Sequence, residues 1–360
     1  MRTPASPERA RCGHGAAKIR AALSRQYASP TPGKVYRVKR RELLRLAAGT
    51  SIAWRPAWAA ASVPRIGVIG PGSGVAGQNT IDALRDGLRV LGWTDGGNLA
   101  ILERRAEEHT ERLPGFAREL IGSAVDILVT AGTLATLAAT RATATLPIVM
   151  VGVGDPVALG IVDRLAQPGG NATGLSLSSL DLIATRLRLL QELVPGLTRV
   201  AVIIRDDPGL EQKLLDIRNV AEQLGLDVLE IEATTGRALE FAFTRLRNDP
   251  CDAIYVASGP LGPAKRAEII ALAADARLPV IYSFGLFAAG GGLMSFATDD
   301  SDLFRRAATF VDRILKGANP AGLPVEPPTK FELVINLKAA RALKLSVPTS
   351  LLARANQVIQ

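Results

Sequence analysis

Cysteine and histidine are almost missing from this sequence, with two of each in 360 residues. Cys12 and His14 lie in an N-terminal stretch that stands apart from the rest, so Cys251 and His109 are what a folded domain would have to work with. One cysteine closes no intramolecular disulfide and makes no Cys-rich metal site, so neither a metal nor a disulfide framework is expected. Cys251 stands just before the apolar run Ala253-Ile254-Tyr255-Val256 and reads as a small residue at the mouth of a buried strand. A Ser-His-Asp or Cys-His nucleophile would have to recruit His109, which sits in the solvated segment Glu107-Glu108-His109-Thr110-Glu111. Hydrolase chemistry has little to build on here. No P-loop is present, and Gly70-Pro71-Gly72-Ser73-Gly74 falls short of a dinucleotide fingerprint because Val75 stands where the third glycine would be. No cofactor is expected.

A long apolar run is also lacking. The stretch Leu46 to Trp54 is too short to span a bilayer, which takes about 20 residues. It follows Lys39-Arg40-Arg41-Glu42-Leu43-Leu44-Arg45 and precedes Ala57-Trp58-Ala59, the order of an export signal: positive charge, apolar stretch, small residues for a peptidase. The arginine pair resembles a twin-arginine signal, with Leu43 where Phe is common. Residues 39–59 are therefore read as a signal cleaved near Ala59 and residues 1–38 as a disordered tail or a start placed too far upstream. The periplasm is the expected location.

This division changes the meaning of the charge. Residues 1–59 hold 13 of the 43 Lys and Arg but only Glu8 and Glu42 of the 34 acids. The remainder carries 30 basic against 32 acidic residues, a net charge near −2, so the formal +9 does not point to nucleic acid.

From Pro64 onward short apolar runs alternate with amphipathic segments, the pattern of parallel βα units with helices on both faces. Strands are predicted at 65–70, 99–105, 125–130 and 148–153, then at 200–204, 228–231, 253–257 and 280–283. Helices are predicted at 80–91, 113–121, 209–224 and 238–247. The two series echo one another: Val125-Asp126-Ile127-Leu128-Val129-Thr130-Ala131-Gly132 is echoed by Cys251-Asp252-Ala253-Ile254-Tyr255-Val256-Ala257-Ser258-Gly259, and Leu146-Pro147-Ile148-Val149 by Leu278-Pro279-Val280-Ile281. A duplicated lobe implies a cleft between the copies.

Ligands of open parallel sheets sit beyond the carboxyl ends of the strands, against helix N-termini. The candidate ligand-binding residues are therefore Ser73, Gly74, Thr133 and Asp155 in the first series, and Asp207, Ser258, Ser283 and Phe284 in the second. Each glycine turn alone fits a tight βα connection. Asp155 follows an apolar strand and precedes Pro156, so it reads either as an N-cap or as the partner of a ligand ammonium, with Thr133 and nearby amides holding a carboxylate. Phe284, Phe287 and Phe296 are the aromatics nearest the expected cleft, which permits a stacked ring without demanding one.

Several blocks carry a family resemblance: Arg40-Arg41-Glu42, Asp155-Pro156-Val157-Ala158-Leu159-Gly160, residues 165–174 (LAQPGGNATG), Gly291-Gly292-Leu293-Met294-Ser295-Phe296 and, most specific, residues 323–338 (LPVEPPTKFELVINLK). From about Arg40 to Gln360 the chain resembles the tryptophan/tyrosine-type substrate-binding proteins of ABC transporters, although Phe296 replaces the family's common Tyr. The resemblance implies an α/β fold of the type I periplasmic binding protein kind, two doubly wound parallel-sheet lobes joined by a three-segment hinge. It implies lobe one at 64–175 plus 290–322 and lobe two at 176–289 plus 323–360, with crossings near 170–178, 288–294 and 323–330. It further implies a monomer that is not an enzyme, which captures a small solute by closure and hands it to an inner-membrane ABC permease. The Arg-rich faces of helices 182–193 and 302–316 are the expected docking surfaces. A sensory or regulatory ligand-binding domain with the same lobes is the alternative.

Overall fold

The computed structural model describes residues 63–70, 74–107, 109–177, 180–204, 209–233, 236–257 and 265–360. The tail and export signal lie outside these residues, as do Ser73, Asp207 and Ser258.

The first sheet holds β1 (Arg65–Gly70), β2 (Ala100–Arg105), β3 (Ile127–Ala131), β4 (Ile148–Val153) and β5 (Ala172–Ser176), all parallel, in the order β2-β1-β3-β4-β5. β3 is buried along its whole length and β1 and β4 nearly so, which is why they read as unbroken apolar runs. At the edge β2 is half-exposed throughout and so accommodates Glu103, Arg104 and Arg105.

Two helices cover each face. On one side Leu113, Ala117 and Leu120 of α2 (Leu113–Gly122) and Ala135 and Ala139 of α3 (Gly132–Ala142) pack on Ile69, Leu128 and Met150. On the other, Ile81, Leu84 and Leu88 of α1 (Gly74–Val90) meet Leu303, Ala307, Phe310 and Val311 of a helix from far along the chain, Asp300–Leu315. Gly87 lets the two approach: a Cβ there would stand 2.5 Å from the Arg305 carbonyl oxygen.

The second sheet has seven strands in the order β12-β11-β10-β9-β8-β6-β7. They are β6 (Arg199–Ile204), β7 (Asp227–Glu232), β8 (Ala253–Val256), β9 (Val280–Tyr282), β10 (Met294–Thr298), β11 (Phe331–Asn336) and β12 (Gln357–Ile359). All neighbours are parallel except β10 and β11. α4 (Leu180–Leu193) and α5 (Leu210–Gln223) cover one face, and α6 (Gly236–Asn248), α7 (Arg266–Ala276) and α8 (Gly285–Ala289) the other. The helix Asp300–Leu315 is α9; α10 (Leu337–Ala342) and α11 (Thr349–Arg354) flank the last strand.

The boundary expected near Gly290 is corrected by strand register. Met294 and Ser295 pair with Ile281 and Tyr282 of β9, and residues 294–298 pair with β11, so the chain stays in the larger sheet through Thr298. It crosses at Thr298–Asp299. There Asp299 caps α9 by accepting the Asp302 amide at 2.9 Å. The buried Leu303, Phe310 and Val311 side chains, each worth about 1.5–3 kcal/mol when fully buried, fix α9 to the first lobe.

The crossings lie side by side. The Ser176 amide donates to the Glu326 carbonyl at 3.0 Å and the Glu326 amide to Gly174 at 2.9 Å, extending the first sheet beyond β5. The Asp299 amide donates to the Lys330 carbonyl at 3.1 Å. From α9, Arg306 grips the third crossing through the Pro327 carbonyl (3.0 Å), Thr329 Oγ1 (3.2 Å) and the Glu326 carboxylate (2.6 Å), while Lys330 pairs with buried Asp302 at 2.7 Å. Because the chain leaves β5 and β10 at their C-terminal ends to enter helices of the other lobe, all strands but β11 and β12 turn their C-termini toward this junction.

Candidate functional site

The wall of the first lobe is built at the ends of β3, β4 and β5. Gly132, at φ 80°, turns the chain into α3 and places Thr133 in its first turn. Thr133 Oγ1 accepts the Gly154 amide at 3.2 Å, and the Gly154 carbonyl accepts the Ser176 hydroxyl at 2.8 Å, so three strand ends are tied together. Asp155 comes next. Its Oδ1 accepts the Val157 and Ala158 amides, both at 3.0 Å, and so caps the turn 156–160. Among the described residues its other oxygen has no hydrogen-bond donor, so the N-cap and ligand readings are compatible in one side chain. Gly74 stands at the start of α1.

The turn that Asp155 caps reaches the second lobe. Gly209, at φ 87°, precedes α5, and a Cβ built there would lie 3.7 Å from Leu159 Cδ2. The lobes therefore approach one another across the junction at Leu159 and Gly209.

The opposite wall carries Ser283 and Phe284 just past β9. Ser283 is buried; its hydroxyl donates to the Val256 carbonyl at 3.1 Å and stands 3.5 Å from Tyr255 Oη. Phe284 is half-buried against the core under α6 and α7. Phe287 is only 1 % exposed and stacks on Tyr282 with centroids 4.6 Å apart, which makes it part of the core rather than a cleft aromatic. Phe296 is half-buried and stacks on Phe331 at 5.6 Å. Both line a groove of about 290 Å³ with Thr185, Leu189 and Arg354.

One residue contradicts its sequence reading. The helix 182–193 was expected to turn an Arg-rich face outward, but Arg186 is 6 % exposed. Its Nε donates to the Phe296 carbonyl at 2.8 Å and its Nη1 to Tyr255 Oη at 3.3 Å. The clue was present: Arg186 shares a stripe with Ile183, Leu187 and Leu190 at helical spacing, so it faces the sheet. Where α9 begins, Asp300 is exposed at the surface, yet neighbouring groups crowd its carboxyl. Withdrawal from water, then the nearby Asp299 and Glu332 carboxylates, push it from 3.8 up to about 6 against the hydrogen bond from Thr298.

Paired parallel-sheet lobes, strand ends turned toward a shared junction and three adjacent crossings define a bilobal solute-binding protein. The chain belongs to the ABC transporter substrate binding protein family, whose model matches residues 65–359. It is 26 % identical over 271 residues to a "Tyrosine-binding protein" of Clostridioides difficile (strain R20291), covering 75 % of this chain and 76 % of the relative. Among solved structures it resembles an ABC domain from Streptococcus pneumoniae in complex with L-Trp, at TM-score 0.76 and 25 % identity, over 83 % of this chain and all of that one. A conserved domain protein from Vibrio cholerae is similar at TM-score 0.75 and 28 % identity, over 82 % of this chain and 99 % of that one. The family binds solutes, and no helix among the described residues is long and apolar enough to cross a membrane.

Proposed function

We propose that this chain is the extracytoplasmic receptor of an ABC importer, which captures an amino acid between its lobes and passes it unchanged to an inner-membrane permease. The observation that carries the reading is the junction itself: two sets of strand ends joined by three hydrogen-bonded crossings, a layout suited to closing on a ligand rather than transforming one. The relatives named for tyrosine and solved with L-Trp point to an aromatic amino acid. In this reading Asp155 faces the ammonium group, Thr133 and the amides at strand ends face polar atoms, and Phe284 borders the cleft. Ser73, Gly74, Asp207 and Ser258 would complete the walls, and Ser283 would act from beneath. Export through residues 39–59, with cleavage near Ala59, would deliver the protein to the periplasm as a monomer.

A thermal-shift screen of the purified protein against the common L-amino acids, sugars and nucleosides tests this directly. A ligand that binds only the folded state raises the melting temperature. An upward shift with L-tryptophan or L-tyrosine, and recovery of the ligand unchanged, is the expected result. Shifts confined to sugars or nucleosides would refute the amino-acid reading, and a chemically altered ligand would refute capture without catalysis.

A further inference from the structure

Arg186 is a charge without a counter-charge. No carboxylate lies within ion-pair distance of it among the described residues, and its Nη2 has no hydrogen-bond acceptor there. The two groups that hold it, the Phe296 carbonyl and the Tyr255 hydroxyl, are neutral. They orient the guanidinium but do not neutralise it. Withdrawing a cation from water without a partner is costly, so a fold that keeps one in such a place leaves a standing demand for an anion nearby.

The position of that demand follows from the connections. Arg186 reaches Tyr255 Oη, and Tyr255 Oη stands 3.5 Å from Ser283 Oγ. Ser283 is the first residue beyond β9, on the rim where the second lobe faces the junction. Because Arg186 donates to the oxygen of Tyr255, the tyrosine's own proton is turned away from the guanidinium. The positive charge thus lies one layer of side chains beneath the wall, and one hydroxyl relays it.

We infer that Arg186 is a positioning residue that makes the wall of the second lobe selective for the carboxylate of the solute. This rests on the amino-acid reading above and deepens it. The ammonium is taken by the Asp155 side of the cleft and the carboxylate by the Arg186 side, in place of the Thr133 side expected from the sequence, so a zwitterion of amino-acid length favours closure by bridging the two lobes. A neutral amide would satisfy only one wall.

The test is a calorimetric comparison, on the full-length protein, of L-tryptophan with L-tryptophanamide and of L-tyrosine with L-tyrosinamide. Each pair keeps the ring and the ammonium and differs only in the carboxyl end. The wild-type protein should prefer the acid by about tenfold or more, the scale of a hydrogen bond to a charged group. Arg186→Met should collapse that preference. Tyr255→Phe keeps the ring and the charge and removes only the relaying hydroxyl, so it should lower the preference at least about threefold, a part of the same hydrogen-bond term. Equal weakening of acid and amide in these variants would make Arg186 a packing residue and overturn the inference, as would a wild-type protein that binds the amide as tightly as the acid. Binding of neither member of either pair would overturn the amino-acid reading itself, and this inference with it.

Discussion

Substitution of Asp155 separates its two jobs. Its Oδ1 holds two backbone amides at 3.0 Å, and asparagine keeps that oxygen in the same place while removing the charge. Replacing a capping residue by alanine costs about 0.5–2 kcal/mol. Asp155→Ala should therefore lower the melting temperature by roughly 1–4 °C, at about 2 °C per kcal/mol for a chain of this length. Asp155→Asn should leave it almost unchanged. Affinity should behave differently, because an ammonium opposite the free oxygen needs the charge. A hydrogen bond to a charged group contributes about 1.5–3 kcal/mol, so Asp155→Asn should weaken L-tryptophan or L-tyrosine binding roughly 10- to 150-fold. Differential scanning fluorimetry and titration calorimetry on the same two variants give both readouts. If Asp155→Asn binds as the wild type does, the carboxylate serves only the turn. If it melts as early as Asp155→Ala, the capping argument fails.

Three further outcomes follow from the junction. Arg306→Ala removes the grip on the third crossing, and because its partners can turn to water the loss should be about 1 kcal/mol, seen as faster amide exchange at Val325, Glu326, Thr329 and Lys330 with β1 and β3 unaffected; unchanged exchange there refutes the clamp. Gly209→Ala forces a left-handed backbone at φ 87° on a residue with a side chain and should cost about 1 kcal/mol or more, although its methyl group would meet Leu159 only in ordinary contact; an unchanged melting temperature would refute the strain argued for this turn. Asp300 binds its proton more tightly in the folded chain than in the unfolded one, so it lowers stability as pH rises from about 4 to about 6, and that penalty is complete above 6. Asp300→Asn should accordingly raise the melting temperature at pH 7.5 but not at pH 4, and an equal shift at both values would rule out the raised carboxyl.

The central strands were legible because burial on both faces leaves a mark in one dimension: β1 and β4 fall at their predicted residues, 65–70 and 148–153. The strands that escaped periodicity are those whose neighbours come from distant sequence. β5 is interrupted by Gly174, a poor strand former, and it is held by the third crossing; a Cβ at Gly174 would lie 2.0 Å from the Met150 carbonyl oxygen. β10 follows three glycines and reads like a loop, yet its pairing with β9 and β11 decides where the lobes divide. At the site, local sequence carried both meanings of Asp155 and could not rank them, since ranking needs the partners of each oxygen. Arg186 is hidden in the sequence for the opposite reason. A charged residue on a helix is usually solvated, so its charge argues for the surface while the apolar stripe that contains it argues for the sheet.

The late chain position of α9 explains how the junction can move as one piece. Its strand of origin belongs to the second sheet, but its buried face belongs to the first, so Thr298–Asp299 must bend whenever the lobes turn. The hydrogen bonds from Ser176 to Glu326 and from Asp299 to Lys330 join the first crossing and this one laterally to the third. Lateral bonds of this kind resist separation of the crossings more than rotation about their shared direction, which favours hinge closure over sliding of one lobe past the other. Arg306 and the Asp302–Lys330 pair anchor the third crossing to α9, and thus to the first lobe, as far as residue 330. The free bending of that crossing is left to the step into β11, next to Phe331 and its stacked partner Phe296, whose carbonyl holds Arg186. Lobe rotation and the placement of the buried charge are therefore coupled through a single strand, β10, and a ligand that draws on that charge draws on the hinge as well.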